Sequence, residues 1–82
     1  MAVLRLFAAA RDAAGTGRDD VPGATVGEVL DAATARYGGT FASVLASAKV
    51  WCNGDDTTLD QSVSEADEVA VLPPVSGGAG NG

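Results

Sequence analysis

Val3, Leu4, Leu6 and Phe7 form an apolar run broken only by Arg5, which predicts a buried first strand over residues 3–7. Residues 8–14 are alanine-rich, with Arg11 and Asp12, and predict a short helical turn that stops at Gly15. Gly15-Thr16-Gly17 is a turn signal. Residues 18–21 read as a short acidic strand returning along an edge, broken by Pro22-Gly23. The clearest helix opens at Thr25. Thr25 and Glu28 stand at capping-box spacing, where each side chain takes up a free backbone donor. Val26, Val29, Leu30, Ala33 and Tyr37 recur at helical spacing and give one apolar face. Arg36 suits the helix dipole in the last turn, and Gly38-Gly39 supplies the stop. Residues 40–48 then predict a loop with one helical turn around Phe41, Val44 and Leu45.

Residues 49–53 read as a strand with Val50 and Cys52 on one face and Trp51 on the other. Asn53-Gly54-Asp55 is a turn, and residues 57–59 predict a further short strand. Val63 lies in a polar connection, and Glu65-Ala66-Asp67 is another turn. Residues 69–72 are the last strand. Their near-continuous apolar run predicts a central position buried on both faces. Pro73-Pro74 ends regular hydrogen bonding. Strands one and two form a hairpin, the helix crosses one face, and the last strand pairs beside the first. The result is an α+β roll: a mixed sheet of four to five strands packed on one main helix.

Composition narrows the chemistry. The chain has 82 residues, one cysteine and no histidine. That length holds one domain. A disulfide framework needs more than Cys52. Histidine-dependent nucleophilic centres and His/Cys zinc sites lack their residues. Five cations face eleven carboxylates, a net charge of −6, which disfavours nucleic acid and anionic membrane as partners. A basic protein partner would suit that charge, which also serves simple solubility. Arg5 interrupts the apolar start, so it does not read as a signal peptide, and no stretch is long enough to span a bilayer. The single thiol and the lack of a signal point to the cytoplasm.

The C-terminal run is the feature with chemistry. Glycine loses the most order on folding and buries nothing, yet Pro73-Pro74-Val75-Ser76-Gly77-Gly78 leaves directly from the last strand. Prolines project a chain in extended form. Two residues without Cβ atoms then fit a passage too narrow for others. A terminal carboxylate at Gly78 would reach a partner's active site; the alternative is an inert end.

These residues resemble a known family. Asp67-Glu68-Val69 followed by Pro73-Pro74-Val75-Ser76-Gly77-Gly78 is similar to the C-terminal signature of the MoaD/ThiS-like sulfur carriers, the group of the molybdopterin synthase small subunit. Leu6-Phe7-Ala8 with Arg11 and Gly15 matches that family's opening, so the resemblance spans nearly the whole chain. It implies a ubiquitin-like β-grasp fold over residues 1–76 with a flexible glycine-rich tail over residues 77–82. It also implies a mechanism. A ubiquitin-activating-like enzyme uses ATP to adenylate the Gly78 carboxylate, and sulfur transfer converts it to a thiocarboxylate. A larger synthase subunit, or another sulfur-accepting enzyme, then takes the tail. The carrier itself binds no cofactor. Carriers for thiazole, cysteine or thio-containing secondary metabolites share this chemistry, as do protein modifiers up to the final acceptor.

One departure stands out. Family members end at the second glycine, whereas Ala79-Gly80-Asn81-Gly82 follows here. A thiocarboxylate cannot form at Gly78 inside a peptide bond. Removal by a processing protease is the favoured expectation. The others are an appended foreign segment, an activated end at Gly82, or loss of the carrier role.

Gly78 is therefore the expected reacting group, with Phe7, Arg11, Leu72, Pro73, Pro74, Val75, Ser76 and Gly77 as partner-binding residues. Phe7, Leu72 and Val75 would make an apolar patch at the tail root, although strand parity leaves Phe7 and Leu72 equally open to the core. Arg11 stands between partner contact and solvated turn. Alternation with Val50 makes Cys52 a core residue rather than a sulfur relay. Trp51 reads as packing or partial surface contact. Asp19-Asp20 and Asp55-Asp56 read as solvated surface.

Overall fold

A computed structural model describes residues 1–74. Five strands form one mixed sheet: β1 (Ala2–Leu6), β2 (Arg18–Val21), β3 (Lys49–Cys52), β4 (Asp55–Asp56) and β5 (Glu68–Leu72). Their order is β2-β1-β5-β3-β4. β1 and β5 pair in parallel at the centre, and the flanking pairs are antiparallel. Three helices, α1 (Ala8–Ala14), α2 (Val26–Tyr37) and α3 (Gly39–Leu45), complete the α+β roll. This is the β-grasp arrangement, with the last strand inserted beside the first as expected.

Strict alternation places Ala2, Leu4 and Leu6 of β1 and Val69 and Val71 of β5 in the core, where all five are almost fully covered. Val26, Val29, Leu30 and Ala33 of α2 meet them from the other side. Each large side chain covered this way stabilises the fold by about 1.5–3 kcal/mol. The start of α2 is closed by two devices. The Glu28 N–H donates to Thr25 Oγ1 at 3.2 Å, and the Ala24 N–H donates to Glu28 Oε1 at 2.9 Å. Above them, the Val26 and Gly27 N–H groups donate to the Gln61 and Leu59 carbonyls at 2.9 and 2.8 Å. The free donors of the first turn are thus taken by a cap and by the loop before β5.

The structure corrects four expectations. Residues 39–45 form a seven-residue helix, α3, rather than a loop with a single helical turn. Its anchor is Phe41, fully buried, with its ring edge-on to Tyr37 at 5.2 Å between centroids. The short strand after the turn is Asp55–Asp56, not residues 57–59. Asn53 and Gly54 both take positive φ (52° and 86°), the two-residue hairpin turn that pairs the very next residues with β3. β5 is central but buried on one face only: Val69 and Val71 are covered, while Ala70 and Leu72 are half-exposed. Among the described residues, helices cover only one side of this sheet. Finally, Asp19 is not simply solvated. Its Oδ2 accepts from Tyr37 Oη at 2.5 Å and Arg36 Nη1 at 2.8 Å, and its Oδ1 accepts from the Asp20 N–H at 2.9 Å. Arg36 Nη1 also donates to the Asp20 carbonyl at 2.9 Å. Both backbone polar groups of Asp20 are thereby occupied on the outermost strand, which blunts that edge against strand addition. The Tyr37 and Arg36 hydrogen bonds hold the Asp19 carboxyl below its usual range, while burial, with Asp19 beside it, pushes the Tyr37 hydroxyl up to about 12.

Candidate functional site

β5 delivers the chain to its tail from the middle of the sheet. On one side the Phe7 N–H donates to the Val71 carbonyl at 3.2 Å; on the other, Leu72 pairs with Lys49. The point of departure at Pro73 is fixed by both neighbouring strands. β1 itself ends at Leu6, one residue earlier than the sequence predicts, and Phe7 becomes the residue before α1. Ala8 turns the chain sharply there with a φ of 51°. Phe7 consequently leaves the core side and is 38% exposed.

Phe7, Leu72, Pro73 and Pro74 line one groove of about 150 Å³. Its other walls come from α1, through Ala8–Ala10, from Val44 of α3, and from Ser47 and Ala48 in the connection to β3. The groove is apolar, so what it can do is bind. Four expected partner-binding residues therefore meet at the tail root. The expected helical turn marks Val44, whereas nothing in the sequence singles out Ser47 and Ala48. Val75, Ser76, Gly77, Gly78 and the expected boundary after residue 76 lie outside the described residues.

Arg11 is exposed and lies elsewhere, in an adjoining recess that shares Phe7 with the groove. Arg5 and Arg18 line it too, although nothing in the sequence marks them as site residues. Their grouping follows from the β1–β2 register, in which Arg5 stands opposite Arg18. The Arg5 guanidinium sits 5.6 Å from the centroid of the Phe7 ring and 3.4 Å from Glu68 Oε2.

Cys52 is buried, and burial, with Asp67 nearby, pushes its thiol up. That is the reverse of what a thiolate nucleophile needs. Trp51 is half-buried on the outer face of the sheet, opposite Ala70, and among the described residues its covered indole N–H has no hydrogen-bond partner. Among the described residues, no helix is long and apolar enough to cross a membrane.

The model of the ThiS family matches residues 4–78, from the first strand to the second glycine of the tail motif. The chain belongs to the ThiS family. It is thus one of the ubiquitin-like sulfur-carrier group to which its motifs are similar. Small archaeal modifier protein 1 of Haloferax volcanii is 38% identical over 84 residues, covering 90% of this chain and 97% of that relative. Small archaeal modifier protein 1 of Methanosarcina acetivorans superimposes with a TM-score of 0.83 at 29% identity, covering 93% of this chain and 94% of the other. A Pyrococcus furiosus protein, provisionally described as molybdopterin converting factor, subunit 1, gives a TM-score of 0.78 at 25% identity, over 90% and 97% of the two chains. The apolar groove thus lies beside β5, the strand that leads to the matched motif.

Proposed function

We propose that this chain is a sulfur carrier whose reacting group is the Gly78 carboxylate, freed by removal of residues 79–82. A carboxylate oxygen attacks the α-phosphorus of ATP on a ubiquitin-activating-like enzyme, and pyrophosphate leaves. A sulfide-level donor then attacks the carbonyl carbon and AMP departs, leaving a thiocarboxylate. Adenylation supplies the leaving group that a free carboxylate lacks. The thiocarboxylate is then a sulfur nucleophile at neutral pH. The carrier contributes shape and a reactive end, while adenylating and sulfur-accepting partners contribute the catalytic groups. The observation that supports this most is that the family match ends at Gly78, four residues short of the chain's end. The small subunit of molybdopterin synthase, in molybdenum cofactor biosynthesis, is the favoured pathway, in keeping with the likeness to the Pyrococcus furiosus protein.

Similarity to a protein named as a modifier favours a second reading. There the adenylated Gly78 carbonyl is attacked by a lysine amine, giving an isopeptide bond. One experiment separates the two. The chain ending at Gly78 is incubated with an activating enzyme, ATP and a sulfur donor, then with cell extract. A carrier yields the thiocarboxylate mass and no lysine-linked conjugates. A modifier yields conjugates. Neither product appearing would refute both readings.

A further inference from the structure

The chain is acidic overall, yet three of its five cations line one recess. Arg5 and Arg18 face each other directly across the β1–β2 ladder, an arrangement of like charges that destabilises a sheet. Arg11 joins them from α1. Its side chain lies along Gly17, where a Cβ atom would stand 3.5 Å from Arg11 Cδ and Nε. Among the described residues Arg11 and Arg18 have no carboxylate partner, and Arg5 has only a half-exposed pairing with Glu68. Fold stability does not account for such a gathering.

The recess is broad and open, about 510 Å³, and its guanidinium groups come from three separate elements. A small anion needs donors converging on one point in an enclosed place. A strip of carboxylates on a protein surface instead matches spread, exposed arginines. Phe7 borders both this recess and the apolar groove at the tail root. A protein that receives the tail would lie across both.

We propose that the Arg5–Arg11–Arg18 recess docks a carboxylate-bearing strip of the protein that receives the C-terminal tail. The proposal rests on the reading that the tail enters a partner. The arginines orient the carrier and offset the repulsion that its net charge of −6 sets up against an acidic partner face.

The test is an NMR titration of amide N–H resonances in the full chain with a hexaglutamate peptide, run beside inorganic pyrophosphate. The peptide is expected to move the Arg11, Gly17 and Arg18 resonances saturably. Binding should weaken about tenfold in the Arg11→Glu/Arg18→Glu double variant and again between low and high salt. The milder Arg11→Gln/Arg18→Gln variant gives the same direction of effect if charge reversal disturbs folding. Absence of saturable movement overturns the proposal. So does movement that persists in both variants, or stronger binding by pyrophosphate than by peptide, which would mark a small-anion site. No activating enzyme takes part, so failure here leaves the carrier reading standing, and failure of thiocarboxylation leaves this result intact.

Discussion

Replacing Tyr37 by Phe removes one hydroxyl and keeps the ring, so the edge-on contact with Phe41 survives. What is lost is the hydrogen bond from Tyr37 Oη to Asp19 Oδ2. A hydrogen bond to a charged group contributes about 1.5–3 kcal/mol. Asp19 is 31% exposed and keeps its bonds from Arg36 and the Asp20 amide, so the lower end applies. The expected loss is about 1.5 kcal/mol, or about 6–12 °C in Tm for a domain of this size. The pH dependence is sharper still. Asp19 has a lowered folded-state pKa, so its contribution is present above the ordinary carboxylate range and fades as pH falls through the folded value. Tyr37 is raised to about 12 by burial and by Asp19, so its contribution is complete below its ordinary value near 10 and is lost as pH rises toward 12. Tyr37 is the only tyrosine, and the Tyr37→Phe variant has nothing left to titrate there. Urea unfolding across pH should therefore show a constant gap between the two proteins near neutrality that closes at both extremes. A gap below about 0.3 kcal/mol, or one that ignores pH, would refute the assignment.

Three further outcomes are expected. Cys52→Ala should lower stability by about 1 kcal/mol yet leave sulfur loading unchanged, measured by thiocarboxylate yield, because the thiol is buried and pushed up in pKa. Gly23→Ala should destabilise by about 2 kcal/mol or more in urea titration: φ is 151° there, and a Cβ would stand 2.6 Å from the Val29 nitrogen. If the tail enters a narrow passage on a partner, Gly77→Leu should block sulfur transfer while leaving the urea midpoint unchanged; normal transfer by that variant would count against a narrow passage.

Period-two alternation made β1 readable, and the capping pair Thr25–Glu28 with the spacing of Val26, Val29, Leu30 and Ala33 did the same for α2, because those signals are local. β5 was placed correctly in the centre, but its apolar run did not reveal that Ala70 and Leu72 face outward on an uncovered side. The full length of α3 escaped because seven residues starting at glycine carry little helical preference alone; the helix is held by burial of Phe41 and by packing against α1 and α2. Asp19 escaped for a similar reason, since Tyr37 and Arg36 lie far along the chain. At the site, the opening segment marked Phe7 and the run from the last strand into the prolines marked Leu72, Pro73 and Pro74, and these four line one groove. Neither gave a hint of Arg5 and Arg18, whose grouping with Arg11 depends on strand register.

The central claim is that sulfur is carried on the Gly78 carboxylate. Its most direct test is the intact mass of the protein isolated from its native cell, with the C-terminal fragment sequenced. The expected result is a chain ending at Gly78, part of it heavier by the mass difference between sulfur and oxygen. A chain ending at Gly82, with no heavier species even when an activating enzyme, ATP and a sulfur source are supplied, would contradict it.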